Sequence, residues 1–363
     1  MKQLLRTCFV SSIIFALVSL THGQDGASRA EFECLMLNNS SSVAVPSNTS
    51  AFPSYHHVWT PGLTYGSFKS NGLELLYETQ GTGSEYVIVV HGGPGLPHEY
   101  FHPMLSNLSH YAKLVYFDRR ADMLSTRLPH QPVSLDEMAD DLDALRQSLG
   151  LSRVTLLGHS FGVAIALNYA LRHPDNVKRL ILVSGSTGIE NPAEAEKRIV
   201  KKLLPVELTQ YRASEGGRGA ADPCERVRRR YSVLYPHYFH KLIPYEFDRG
   251  IYTAYFDSLA KKLALANPSQ KLDVRDQLSA VKAPVMVVAG RYDLVTPLDQ
   301  SVALADGLPY SKMVVMEHSA HFPFFEENYM FTQWVRQFIH STSDMFDDRA
   351  TLGPALASST GGR

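Results

Sequence analysis

The chain has no surplus of charge of either sign. Lys and Arg number 35 against 36 Asp and Glu, a formal net charge of −1 over 363 residues. Without a basic excess, no nucleic acid or other polyanion is expected as a partner. Past residue 20 there is no apolar run long enough to span a bilayer, and no internal repeat. Cysteine is scarce too, three in all. Cys8 lies in MKQLLRTCFVSSIIFALVSLTHGQ, where Lys2 and Arg6 precede an apolar run from Cys8 to Leu20 and short residues lead on to Gly23. That is the layout of a secretory signal peptide, residues 1–23, whose run of about 13 residues is too short to span a bilayer comfortably; an uncleaved anchor is the competing reading. Cleavage leaves Cys34 and Cys224, which an oxidising compartment allows to pair; the sequence does not decide whether they do. Sequons at Asn38, Asn39, Asn48 and Asn107 fit the same route and weakly support it. The expected location is extracellular or periplasmic, with no membrane contact after cleavage.

What remains is of ordinary globular composition, 44% hydrophobic and 20% charged, and long enough for one large domain or two small ones. Residues 24–57, rich in Ser, Asn and Pro, read as an extended N-terminal arm. A hairpin is expected around Asn71-Gly72. Buried strands are expected at Tyr86–Gly92, Lys113–Asp118, Arg153–Gly158, Val177–Gly185, Ala283–Gly290 and Ser311–His318. Between them lie helical stretches. In one, Ser134 and Glu137 form a capping box ahead of the apolar stripe Leu135, Met138, Leu142 and Leu145. Apolar strands alternating with helices predict an α/β fold, a mostly parallel sheet with helices on both faces. The core occupies 58–186 and 273–342. Residues 187–272 interrupt the alternation with mainly helical patterning and ten Tyr and Phe between Tyr211 and Phe256, which reads as an inserted cap. Residues 343–363 read as a disordered tail.

The chemistry concentrates at GHSFG, Gly158 to Gly162, a G-x-S-x-G pattern with a strand-like run before it and a helix-like run after it. Such a turn exposes a serine hydroxyl at its apex, although a serine that merely caps the helix fits the same letters. A serine becomes a nucleophile when a base takes its proton. Asp293 in GRYDLVTP and His321 in HSAH each follow a strand end, in the chain order serine, acid, histidine. His321 is then the general base for Ser160, and Asp293 orients the imidazole. Two competing readings stand: Asp293 as the cap of a helix opening near TPLDQ, and His318 as the base. For the developing oxyanion the expected donors are the backbone N–H groups of Phe161 and of Gly93 in HGGPG, His91 to Gly95. Gly92 and Pro94 shape the same turn against the substrate. This chemistry needs no metal and no organic cofactor.

HGGPG, GHSFG, GRYDLVTP and HSAHF occur in that order, and over roughly residues 60–342 the chain resembles the α/β-hydrolase fold enzymes. More narrowly, it resembles the proline iminopeptidase-like branch of serine peptidases. The resemblance implies a serine hydrolase working through an acyl-enzyme, with a small peptide as substrate and an N-terminal residue as product. Two departures qualify it. In DRRADMLS, Asp118, Arg120 and Ser125 keep the family's D-x-R-G-x-G-x-S positions, but Ala121 and Met123 replace its glycines. In the cap, PHYF at Pro236–Phe239 is similar to a family H-Y-F element, yet Tyr235 stands where the family has the glutamate that binds the substrate amine. Glu246 or Asp248 in PYEFDRG can substitute for it. Without that glutamate, an esterase, amidase or lactonase on small hydrophobic substrates is the alternative. A non-catalytic binding protein is the third reading, at odds with a complete set of serine, acid and histidine.

Overall fold

A computed structural model describes residues 62–93, 98–118, 134–188, 192–216, 223–241 and 273–341. The expected signal peptide, arm and tail lie outside the described residues. So do Cys34, the side chain of Cys224, the sequons at Asn38, Asn39 and Asn48, Pro94, Arg120 to Ser125, Glu246 and Asp248.

All the expected strands form, with ends moved by one or two residues. β1 (Thr64–Ser70) and β2 (Leu73–Gln80) make the hairpin. Asn71 and Gly72 turn it at φ 45° and 78°, the left-handed pair that a two-residue turn needs. Then follow β3 (Tyr86–Val90), β4 (Lys113–Phe117), β5 (Val154–His159), β6 (Val177–Val183), β7 (Val285–Gly290) and β8 (Ser311–Met316). They join in one sheet in the order β1-β2-β4-β3-β5-β6-β7-β8. From β4 to β8 every neighbouring pair is parallel, while β2 runs antiparallel to β4.

The central strands β3, β5 and β7 are buried almost throughout because both faces are covered. Ile88, Val90, Leu156, Leu180, Leu182 and Val287 enter one core with helices α1 (Leu135–Ser148) and α2 (Phe161–Arg172). Alternate residues, among them Val87, Val89, Leu157, Ile181 and Val288, enter the other with Phe331, Val335 and Phe338 of the helix Asn328–Ile339. This is the period of two that a pleated strand imposes. The capping box forms as expected: the Ser134 hydroxyl accepts the Glu137 N–H, and the Glu137 carboxylate accepts the Ser134 N–H. Among the described residues no helix is long and apolar enough to cross a membrane.

Two features of this topology position the site. β3 feeds β4 on one side and β5 feeds β6 on the other, so the chain parts above the carboxyl ends of β3 and β5. A crevice opens at such a point, and ligands of open α/β sheets bind there. Between β6 and β7 the chain also makes a long excursion, with helices Pro192–Val200, Pro205–Gly216 and Pro223–Leu234 and a turn Tyr235–Tyr238. Gly188 and Asp273 pair as an antiparallel bridge, and the Val274 N–H donates to the Thr187 carbonyl at 2.9 Å. The excursion therefore returns to the place where it left.

Candidate active site

Ser160 sits between the last residue of β5 and the first of α2, with φ 53° and ψ −119°. A non-glycine residue held there stores about 1–3 kcal/mol of strain. Two backbone hydrogen bonds hold it: the Ser160 N–H donates to the Val183 carbonyl, and its own carbonyl accepts the Val163 N–H, both at 2.9 Å. The flanking glycines answer to space. A Cβ on Gly162 would stand 2.1 Å from the Val90 carbonyl oxygen, and one on Gly158 would stand 2.6 Å from the Gly162 oxygen. Strand end and helix start pass too closely for any side chain. The Ser160 hydroxyl makes no capping bond to α2. Its partner lies elsewhere.

That partner is His321, whose Nε2 is 3.0 Å from Ser160 Oγ. On the other side of the ring, Nδ1 is 2.8 Å from Asp293 Oδ2. Since a carboxylate only accepts, Nδ1 carries the hydrogen and Nε2 is left to take the serine proton. Asp293 Oδ1 meanwhile accepts the N–H groups of Val295 and Thr296, at 2.8 and 2.9 Å, which fixes the carboxylate from behind. The helix that opens within TPLDQ starts at Leu298 without a side-chain cap, so Asp293 does not cap it. His318 is exposed and its backbone N–H binds Glu327, whereas Asp293 and His321 are buried together. Their mutual attraction is strengthened by the loss of solvent.

The two expected oxyanion donors belong to the ends of neighbouring strands. Phe161 opens α2, and Gly93 (φ 44°) follows β3, the strand paired with β5. Gly92 does something the sequence did not suggest. Its N–H donates to the Tyr100 hydroxyl at 2.7 Å, which spends that donor on the scaffold. It still borders the serine, because a Cβ on Gly92 would stand 3.0 Å from Ser160 Cβ.

Tyr100 passes the connection on. Its hydroxyl is 2.8 Å from His159 Nδ1, and His159 Nε2 is 2.9 Å from the His321 carbonyl oxygen. The carbonyl must accept, so Nε2 bears the hydrogen and Nδ1 receives the Tyr100 O–H. One hydrogen-bonded run thus joins the glycine turn after β3 to the backbone of His321. Burial pushes the His159 pKa well below the ordinary histidine value, and the neighbouring His321 adds to the fall, so the ring stays neutral. Unfolding frees a histidine that takes a proton below about pH 6.5, while the folded ring does not. Stability from this residue is therefore complete above that pH. It is lost as pH falls, at up to about 1.4 kcal/mol per pH unit. Urea unfolding at about pH 7.5 and about 5.5 should show a smaller acid loss in His159→Gln than in the native chain. An equal loss in both would refute the assignment.

The excursion reaches the base directly. The Tyr238 carbonyl accepts the His321 N–H at 2.9 Å, and the Tyr238 ring stands edge-on to the imidazole with centroids 5.6 Å apart. The Glu326 carboxylate accepts the N–H groups of Ala320 and His240, which ties the loop before the base to the excursion. Tyr235, at the position of the family's amine-binding glutamate, is buried against Tyr238, Phe239 and Phe322. Tyr100 and Glu326 carry no motif, His159 fills the open position of G-x-S-x-G, and Tyr238 is a letter of PHYF. Only the closeness of PHYF to a family element hinted at one of them.

A strained serine at a strand–helix turn, with a histidine and an acid supplied by later strand ends, defines a hydrolase of the α/β class. The sequence profile of the alpha/beta hydrolase fold family matches residues 85–328, and the chain belongs to that family. Within it, the relatives include the proline iminopeptidases. That of Saccharolobus solfataricus is 25% identical over 294 residues, covering 75% of this chain and 90% of its own. A 2-hydroxy-6-oxononadienedioate/2-hydroxy-6-oxononatrienedioate hydrolase of Pseudomonas putida is 28% identical over 271 residues, covering 74% and 92%. Among solved structures, a thermophilic esterase from Thermogutta terrifontis superposes with a TM-score of 0.57 at 25% identity, covering 77% of this chain and 100% of its own. One scaffold thus serves three substrate chemistries.

Proposed function

We propose that this chain is a secreted serine hydrolase that releases N-terminal residues from small peptides, in the manner of a proline iminopeptidase. The observation that carries the chemistry is the Ser160–His321–Asp293 array at the sheet's switch point. Ser160 Oγ attacks the substrate carbonyl while His321 Nε2 takes its proton. The N–H groups of Phe161 and Gly93 receive the charge on the tetrahedral oxygen. His321 then delivers that proton to the leaving amine, and the acyl group remains on Ser160. Water attacks the acyl-enzyme with His321 again as base, releasing the acid and restoring the serine. None of these steps calls on a metal or an organic cofactor.

The peptide preference draws on HGGPG and on the proline iminopeptidase relatives. Glu246 or Asp248 would hold the substrate amine. The second reading, an esterase or related hydrolase on small hydrophobic substrates, is favoured by the buried, ring-packed Tyr235 at the glutamate position. Proline β-naphthylamide and p-nitrophenyl acyl esters, offered side by side, separate the two. Release of naphthylamine that falls when the proline nitrogen is acylated is the expected result. Ester turnover with no naphthylamine would remove the peptidase reading and leave the hydrolase intact.

A further inference from the structure

Away from Ser160, three side chains converge that the hydrolytic mechanism does not use. We propose that Glu78, His98 and His102 form a binding site for one divalent transition-metal ion of the zinc class. His98 and His102 stand four residues apart on consecutive helical turns, His98–Phe101 and His102–Leu105, which puts both rings on one side. Glu78 comes from β2, opposite Tyr116 of β4. The Tyr116 ring lies against both imidazoles, with centroids 6.0 Å from His98 and 4.7 Å from His102. All three side chains are buried. Glu78 Oε2 is 3.3 Å from His98 Nε2 and 3.0 Å from His102 Nε2, and the three atoms lie within 4.8 Å of one another. Two ligands each about 2.0–2.1 Å from a tetrahedral zinc stand roughly 3.3 Å apart, so little movement is needed to seat the ion.

The orientation of His98 makes the case for a cation. Its Nδ1 is 2.8 Å from Asp118 Oδ1, which also accepts the His98 backbone N–H at 3.1 Å. That carboxylate holds the hydrogen on Nδ1 and turns the Nε2 lone pair toward the Glu78 oxygen. Two acceptors at that distance repel unless a cation lies between them. A second proton on His98 would supply that charge, while His102 Nε2, 3.0 Å from the same oxygen, can donate to it as a neutral ring or give its lone pair to an ion. A single metal ion satisfies all three atoms at once. A carboxylate behind a ligating histidine is also how protein metal sites fix the ring. Such an ion touches no reacting atom. It pins the turn that carries Tyr100, and Tyr100 holds the Gly92 N–H of the oxyanion turn. The ion is structural.

The test uses the full chain after treatment with a chelator, titrated with zinc ions alone by calorimetry and with cobalt ions alone by visible absorption. We expect one ion per chain, a cobalt spectrum of tetrahedral type, and a higher unfolding midpoint with zinc. His102→Gln should weaken zinc binding by roughly 100-fold, and Asp118→Asn by roughly 10- to 100-fold. Folding of each variant is checked by circular dichroism. Anomalous scattering at the zinc edge, from native crystals grown with the metal, locates the ion without any variant. Density between Glu78, His98 and His102 supports the site. No uptake of zinc, an ion elsewhere, or unchanged binding in a folded His102→Gln would overturn it and leave a protonated His98 as the cation.

Discussion

Replacing Ser160 by alanine should lower kcat by about a hundred thousand- to a millionfold, and His321→Ala should do nearly the same. The double variant should be no worse than either single one. The reason lies in the 3.0 Å contact between Ser160 Oγ and His321 Nε2. A hydroxyl without its base is a poor nucleophile, and a base without its hydroxyl has no proton to take. Removing one therefore disables the other. The measurement is kcat for both single variants and the double on one substrate, with a fluorophosphonate label as an independent reading of Ser160. Losses that multiply, or a Ser160→Ala variant that keeps a tenth of the activity, would dismiss the array as the catalytic unit. A chain whose biological role survives Ser160→Ala would then be a binding protein built on a hydrolase fold.

Asp293→Asn should cost about ten thousandfold in kcat with little change in KM or in the unfolding midpoint. The geometry specifies how. Val295 and Thr296 donate to Oδ1, so the asparagine oxygen is drawn to that side and its NH2 faces His321 Nδ1. An NH2 group donates, and Nδ1 must then accept. The ring hydrogen moves to Nε2 and points at the serine, where it blocks the proton transfer. Such a variant is correctly folded and wrongly protonated. Kinetic constants and urea midpoints measured together distinguish this from simple unfolding. A loss below tenfold would mean that Asp293 only shapes its loop.

The parts of this site that sequence made legible are those written in short, contiguous stretches. Ser160, Asp293 and His321 each follow a run of β-branched and other apolar residues, and a strand end is where an α/β sheet exposes function. The turn at Asn71-Gly72 and the capping box at Ser134 and Glu137 are equally local. What was not legible is long-range. His159 meets Tyr100 across 59 positions and the His321 carbonyl across 162, and no spacing rule links them. In the motif His159 looked like a variable letter, yet it carries the connection between oxyanion turn and base. Gly92 resembled a glycine kept small for substrate until its N–H was found on Tyr100. The pair His98 and His102 stands four apart in HEYFH, a spacing that alone names no site. Only the antiparallel pairing of β2 with β4 brings Glu78 to meet it.

The carbonyl of Tyr238 belongs to the excursion, whereas the N–H it receives belongs to His321 on the sheet. Gly188 and Asp273, already paired, are natural cut points for exchanging this segment with that of a relative. A graft made there imports more than a new set of walls for the substrate. It imports one of the grips on the catalytic ring, and chimaeras lacking an equivalent carbonyl will lose turnover even on substrates that fit. Preference and rate are inherited together in this architecture, and a designer who alters one inherits the repair of the other.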